Sequence, residues 1–174
     1  MKRITSLTTP WKIALSVSLV AAVAALATPP LGFLVNQVLA KGTVTDNINH
    51  QIQIARAESD PADKDWQIQL QVQGATDFYV QQLVLAPAGY SGWHSHPGVL
   101  VATVTAGEID FYDENCQQRH VTAGQIFQEN NKTHGIINNG SANAEITLAF
   151  LIKKDAPRRL EADPPACAAV TGIP

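Results

Sequence analysis

Two histidines stand one residue apart in the stretch Gly92-Trp93-His94-Ser95-His96-Pro97-Gly98. On a strand, residues i and i+2 point to the same face, so His94 and His96 present two imidazoles side by side. Neutral imidazole is the commonest side-chain ligand for transition metals, but a protein site needs at least one further ligand from elsewhere in the chain. Three more histidines are available. His50 sits in a polar edge segment, His120 in a turn-rich stretch near Cys116, and His134 opens the strand-like "THGIINN". Two carboxylates lie in the same half of the chain. Either could supply a carboxylate ligand, but Glu108 directly follows a hairpin glycine and Glu129 closes a short strand, and solvated surface is the expected place of both. No nucleophile constellation is present: there is no G-x-S-x-G, no cysteine beside a base and no phosphate-binding loop.

The elements that must position these histidines read as strands. "WQIQLQVQ" (66–73) alternates without a break, with Trp66, Ile68, Leu70 and Val72 on one face and glutamines on the other, which predicts a half-buried antiparallel strand. "DFYVQQLVLAP" (77–87) follows, and Gln81 and Gln82 fall on its opposite faces. Then come "SGWHSH", "GVLVATVTA", "GEIDFYD", "QRHVTA", "GQIFQE", "THGIINN" and "AEITLAFLIK", each closed by Gly, Asn or Pro. Gly107 marks a tight hairpin, and Phe111, Phe127 and Phe150 are expected in the core. "LGFLVNQVLAKG" (31–42) reads as an opening strand and residues 55–64 as a polar connection. Many short strands at this spacing predict an all-β sandwich, jelly roll or barrel.

The chain has 174 residues and a formal charge of −3. Residues 1–27 have the layout of an export signal: basic Lys2, Arg3 and Lys12, an apolar run over 13–27, and Ala25-Leu26-Ala27 as a cleavage site. The alternative is an uncleaved anchor through residues 13–40, long enough to span a bilayer but interrupted by Pro29, Pro30 and Gly32. Loss of the three basic leader residues takes the charge from −3 to −6, which argues against a nucleic-acid surface. Export, to a periplasm or the extracellular space, places Cys116 and Cys167 where a cysteine pair reads as a disulfide. That bridge would tie residues 153–174 back to the loop after "EIDFYDEN".

In these residues the sequence resembles the cupin superfamily. The first cupin motif runs Gly, five residues, His-x-His, three or four residues, Glu, six residues, Gly. Here Gly89, His94, His96, Leu100 and Gly107 follow it, with the lead-in one residue short and leucine where the glutamate is usual. The second motif runs Gly, five residues, Pro-x-Gly, two residues, His, three residues, Asn. Here Gly124, Asn130, Lys132, His134 and Asn138 follow it, with Asn130 and Lys132 in place of Pro and Gly and the histidine one residue early. The resemblance covers the barrel part, about residues 77–152, behind a leader (1–27) and an N-terminal portion (28–76). It is nearest to small exported bacterial cupins that carry "GWHSHPG".

The resemblance implies a single-domain jelly-roll barrel with a divalent metal held by His94, His96 and His134. Three neutral imidazoles leave the ion at +2 and favour Zn²⁺, Fe²⁺, Cu²⁺ or Ni²⁺ over harder ions; the missing glutamate also leaves a metal-free barrel as an alternative. A three-histidine site keeps open positions for a small molecule. Zinc carbonic anhydrases with a long β-sheet also use three histidines, but this chain is shorter and lacks their surrounding pattern. The expected function is therefore small-molecule binding at a metal. The alternatives are a metal-dependent oxygenase or isomerase, or a structural or stress-related exported domain with a vestigial site. A homodimer is compatible with all three.

Overall fold

The computed structural model describes residues 28–55 and 64–173. The leader, its cleavage site and most of the anchor run therefore lie outside the described residues. β1 (Leu31–Val44) runs antiparallel along β4 (Thr76–Tyr90). The other edge of β4 carries β11 (Ala144–Lys153), which carries β6 (Gly98–Ala106), which carries β9 (Ile126–Glu129). Beyond its Tyr90 end β4 meets β10 (Gly135–Ile137), then β7 (Glu108–Tyr112) and β8 (Gln118–Thr122). Val121 on β8 and Phe127 on β9 stand at opposite ends of this strand order, yet belong to one cluster of buried side chains. The sheet therefore curls into a nearly closed antiparallel barrel, one of the architectures that the strand pattern predicts and the jelly roll that the resemblance implies.

Strand periodicity builds the interior. On β11, Ala144, Ile146, Leu148, Phe150 and Ile152 point inward and the residues between them outward. On β6, Leu100, Ala102 and Val104 are inward while Val99 and Val101 are exposed. Each fully buried aliphatic side chain contributes roughly 1.5–3 kcal/mol. Gly107 makes the hairpin from β6 to β7 at φ 70°, in the left-handed region where a side chain is strained.

A second, smaller core holds the C-terminal segment. Trp93, Tyr112 and Ile137 pack there with Ala168 and Ile173, beside the 3-10 turn Ala168–Val170 and the Cys116–Cys167 disulfide. Two short strands precede that turn in space: β5 (His94–Ser95) pairs with β12 (Leu160–Glu161), so the tail crosses the strand that carries the histidine pair.

One strand departs from its expected environment. β3 (Trp66–Val72) pairs with β2 (Ile48–Ile54) in a separate two-stranded sheet. Its apolar face is only partly covered: Trp66 is 51% and Ile68 43% exposed, whereas Leu70 and Val72 are half-buried. Alternation encodes a two-faced strand but says nothing of what covers the apolar face.

Asp77, at the start of β4, ties three segments together. Its carboxylate accepts from Thr43 Oγ1 at 2.6 Å and from the Asp155 backbone N–H at 3.1 Å, and pairs with Lys41 at 3.1 Å. The Thr43 hydrogen bond, then that from Asp155, holds this carboxyl well below the usual range. A carboxyl depressed in the folded state contributes stability that is present above its unfolded pKa, about 4, and is lost as pH falls. Asp77→Asn is therefore expected to melt below wild type at pH 7, with a gap that narrows progressively as pH falls below 4 toward the depressed folded-state value. Melts from pH 7 to 2.5 check this; a constant gap between the two curves would rule it out.

Candidate metal centre

The short strand β5 is strung between two others by its backbone. Gly92 precedes it at φ 68°, and a Cβ there would lie 2.1 Å from the Thr28 carbonyl oxygen. Trp93, fully buried, anchors the strand in the smaller core. His94 and His134 then exchange both backbone hydrogen bonds, at 2.9 and 2.8 Å. Residues paired in this way project their side chains to one face. The His96 N–H donates to the Asn130 carbonyl at 3.1 Å, which ties it to the end of β9. Sequence parity puts His94 beside His96, and the backbone bridge adds His134. Ring centroids lie 4.4 Å apart for His94–His134, 5.0 Å for His94–His96 and 5.2 Å for His96–His134.

Each ring is oriented by its Nδ1. That of His94 contacts the Gly92 carbonyl at 3.2 Å, that of His134 the Lys132 carbonyl at 2.8 Å, and that of His96 the Arg158 carbonyl. A carbonyl oxygen has no proton, so in each pair the ring nitrogen donates. Nε2 is left for a metal or, in its place, a proton.

The fourth member is Glu129, and here the expectation of a solvated carboxylate fails. Glu129 is 5% exposed, and its Oε2 lies 2.9 Å from His96 Nε2 and 3.3 Å from His134 Nε2. Register explains it. Glu129 on β9 pairs directly with Leu100 on β6, and opposed residues of antiparallel strands share a face. Leu100, at the position of the usual glutamate, is fully buried and supplies only packing. The carboxylate has moved to the neighbouring strand. A signal for it was present: Phe127 reads as core, and Glu129, two residues on, shares its face.

The other candidates lie elsewhere. Glu108 is a surface residue that contacts His120 at 3.5 Å, and His120 donates to Asp110 at 2.8 Å on the exposed side of β7 and β8. His50 is exposed on β2.

The donor set fits a divalent transition metal. One donor atom from each of His94, His96, Glu129 and His134 lies within 4.8 Å of the others, and all four residues are buried. Nε2 of His96 and of His134 are buried without a hydrogen-bond partner, although the Glu129 carboxylate is close. Ligand atoms about 2.1 Å from one ion sit roughly 3.0 Å apart at right angles and roughly 3.4 Å apart at the tetrahedral angle. The observed 2.9 and 3.3 Å match that spacing.

The electrostatics agree. Burial pushes His94 well below the usual imidazole value, so it is neutral. Burial pushes Glu129 up, but attraction to His134 and its contacts with His134 and His96 outweigh this and hold it ionised. Burial also pushes His134 down, and Glu129 more than reverses it. A buried carboxylate is costly without a positive partner, and a metal or a proton on the histidines supplies one.

The centre opens into a cavity of about 250 Å³ lined by His94, His96 and Glu129 on one side and by Leu83, Leu148 and Phe150 on another. Gln81 faces this cavity and Trp93 does not. Phe150 meets the His96 ring edge-on at 5.4 Å, and Phe111 stacks at 5.7 Å on that of His134.

Comparison with known proteins gives one family. The model of the cupin domain matches residues 81–150, which include His94, His96, Leu100, Glu129 and His134. No curated protein matches the chain. Among solved structures, it is similar to an oxalate oxidase in complex with the substrate analogue glycolate, at 21% identity and a TM-score of 0.43 over 49% of this chain and 46% of that one. The chain thus spans about half of that enzyme's length. It is also similar to a Klebsiella pneumoniae protein with a double-stranded β-helix domain, at 19% identity and a TM-score of 0.43 over 68% and 86% of the two chains. A predicted oxalate decarboxylase from Thermotoga maritima is 20% identical, with a TM-score of 0.39 over 46% and 83%. Histidine pair, barrel strands and domain match coincide on the same residues: residues 81–150 form a cupin domain.

Proposed function

We propose that this chain is an exported cupin that holds a divalent transition metal through His94, His96, Glu129 and His134 and binds a small organic molecule beside it. One observation carries the reading. Three imidazoles are fixed through Nδ1 by backbone carbonyls, and one donor atom from each lies within 4.8 Å of the others and of a buried Glu129 carboxylate oxygen. A vestigial site has no reason to keep that carboxylate buried. Glu129 leaves the ion at +1 rather than +2 and adds an oxygen donor, which brings Mn²⁺ back among the candidates beside Fe²⁺, Zn²⁺, Cu²⁺ and Ni²⁺. Bound there, the ion would supply Lewis-acid charge at the cavity wall. The chain's own residues orient the ligands and, through Leu83, Leu148 and Phe150, keep the cavity partly dry. The Cys116–Cys167 disulfide supports export, because such bridges persist in oxidising compartments.

Because the cavity reaches the donor residues themselves, a metal-dependent oxygenase or isomerase is the second reading. Iron or copper in the native protein would favour the oxygenase, and zinc would favour a binder.

Protein purified without a metal-binding tag should contain stoichiometric metal by elemental analysis. His94→Ala, His96→Ala and His134→Ala are expected to lose it, together with the rise in melting temperature that metal confers by mass action. His50→Ala and His120→Ala should retain both. If all five variants behave alike, the assignment is wrong.

A further inference from the structure

The cavity beside the metal centre has a cationic side that the four donor residues do not explain. Arg158 and Arg159 both line it, and both come from the tail segment that precedes β12. They differ in their partners. Arg159 grips the Glu161 carboxylate through Nε and Nη2, so its charge is answered. Arg158 has no carboxylate partner among the described residues. Its Nη1 donates to Gln81 Oε1, and its guanidinium lies 5.6 Å from the centre of the Tyr79 ring.

Gln81 is itself buried, and its Nε2 donates to Asn36 Oδ1 at 2.6 Å. The amide is thus held from both ends and presents its oxygen to Arg158. A guanidinium carries five N–H donors in a planar fork, and Gln81 accepts one of them. The same residue's backbone carbonyl holds the His96 ring, so Arg158 is fixed relative to the metal centre by its own main chain.

We infer that this cavity takes a small organic acid, with one carboxylate on the Arg158 guanidinium and a second oxygen donor directed at the metal centre. The inference rests on the metal-binding reading and names the class of ligand for that site. Charge supports it: a divalent ion with Glu129 leaves +1, and Arg158 adds another +1, which a dianion balances. A partly dry cavity strengthens such pairing, and the arginine fork matches a carboxylate in two parallel hydrogen bonds. Size supports it too. At about 250 Å³ the cavity lies below the ~300–1,000 Å³ usual for drug-sized ligands, so the acid has only a few carbons. Phe33, Leu83, Leu148 and Phe150 provide apolar wall for its skeleton.

The test uses malonate, succinate and glutarate as probes on zinc-loaded protein, with 1,4-butanediol as the neutral control. Binding is read by calorimetry and by thermal shift, and zinc by elemental analysis. At least one diacid should bind and raise the melting temperature, and the diol should do neither. Arg158→Gln should weaken diacid binding tenfold or more at unchanged zinc content. Arg158→Lys, which keeps the charge but not the fork, should fall between the two. Gln81→Leu should weaken the diacid without displacing zinc. Zinc-loaded wild type that binds none of the three acids would overturn the inference, as would an Arg158→Gln protein that binds them as well as wild type. If the chain takes up none of Zn²⁺, Mn²⁺, Fe²⁺, Cu²⁺ and Ni²⁺, the same acids are titrated without metal. Arg158-dependent binding then keeps the anion site and ends the metal reading, whereas no binding ends both.

Discussion

Replacing Glu129 with leucine is expected to reduce metal affinity by at least roughly a hundredfold, because loss even of groups that only orient metal ligands typically costs 10–100-fold. The more telling experiment exchanges the two residues across the strand pair. Leu100 and Glu129 are opposed in register, and both are buried at the same wall of the barrel. The double variant Leu100→Glu/Glu129→Leu puts the carboxylate where the family's first motif carries it and should recover much of the lost affinity. Leu100→Glu alone should do the reverse of helping. It sets a second carboxylate beside Glu129 in a buried wall, where two like charges cannot both ionise cheaply, and it should melt well below wild type in chelator. Calorimetric titration with Mn²⁺ and Zn²⁺ and melts in chelator compare the four proteins. A double variant as metal-poor as Glu129→Leu would mean that positions 100 and 129 do not face a common ion.

Removal of the disulfide is expected to have the largest effect on stability. Cys116 and Cys167 close a loop with a sequence separation of 51, which the chain-entropy model values at about 4 kcal/mol. For a chain of this size that amounts to a fall in melting temperature of roughly 10 °C. Cys116→Ser/Cys167→Ser and the reduced wild type should agree within error, since each frees the same loop. The effect should reach the metal centre. The bridge anchors a tail whose β12 pairs with β5 at His94 and Ser95, and whose Arg158 carbonyl holds the His96 ring. Metal affinity should therefore also fall on reduction, by less than on loss of Glu129. Oxidised and reduced protein with the same melting temperature would show that the bridge carries no stability.

Much of the barrel is legible in the chain because strand side chains alternate with a period of two. That period sets Ala144, Ile146, Leu148, Phe150 and Ile152 on one face of β11, and it is the whole reason His94 and His96 can be read as a pair. The Gly107 hairpin is legible for a different reason, since only a few residue types tolerate its backbone angle. The pairing of Cys116 with Cys167 is legible from the cysteine count, read with the export that the leader predicts. Burial is less legible. Trp66 and Ile68 alternate as a core strand would, but their strand pairs only with β2, outside the barrel sheet, and both are exposed.

The residue types and their spacing determined by themselves that this is an all-β chain with two adjacent imidazoles, because those facts rest on local parity; the barrel and the third imidazole, His134, are implied by the resemblance of the motifs. Only the tertiary structure decided which carboxylate completes the cluster and which cation faces it. Glu129 meets Leu100 across a strand pair, and Arg158 meets Gln81 across 77 positions of sequence. Strand register and the path of a tail are set by packing of the whole barrel, and no local window of sequence contains that information.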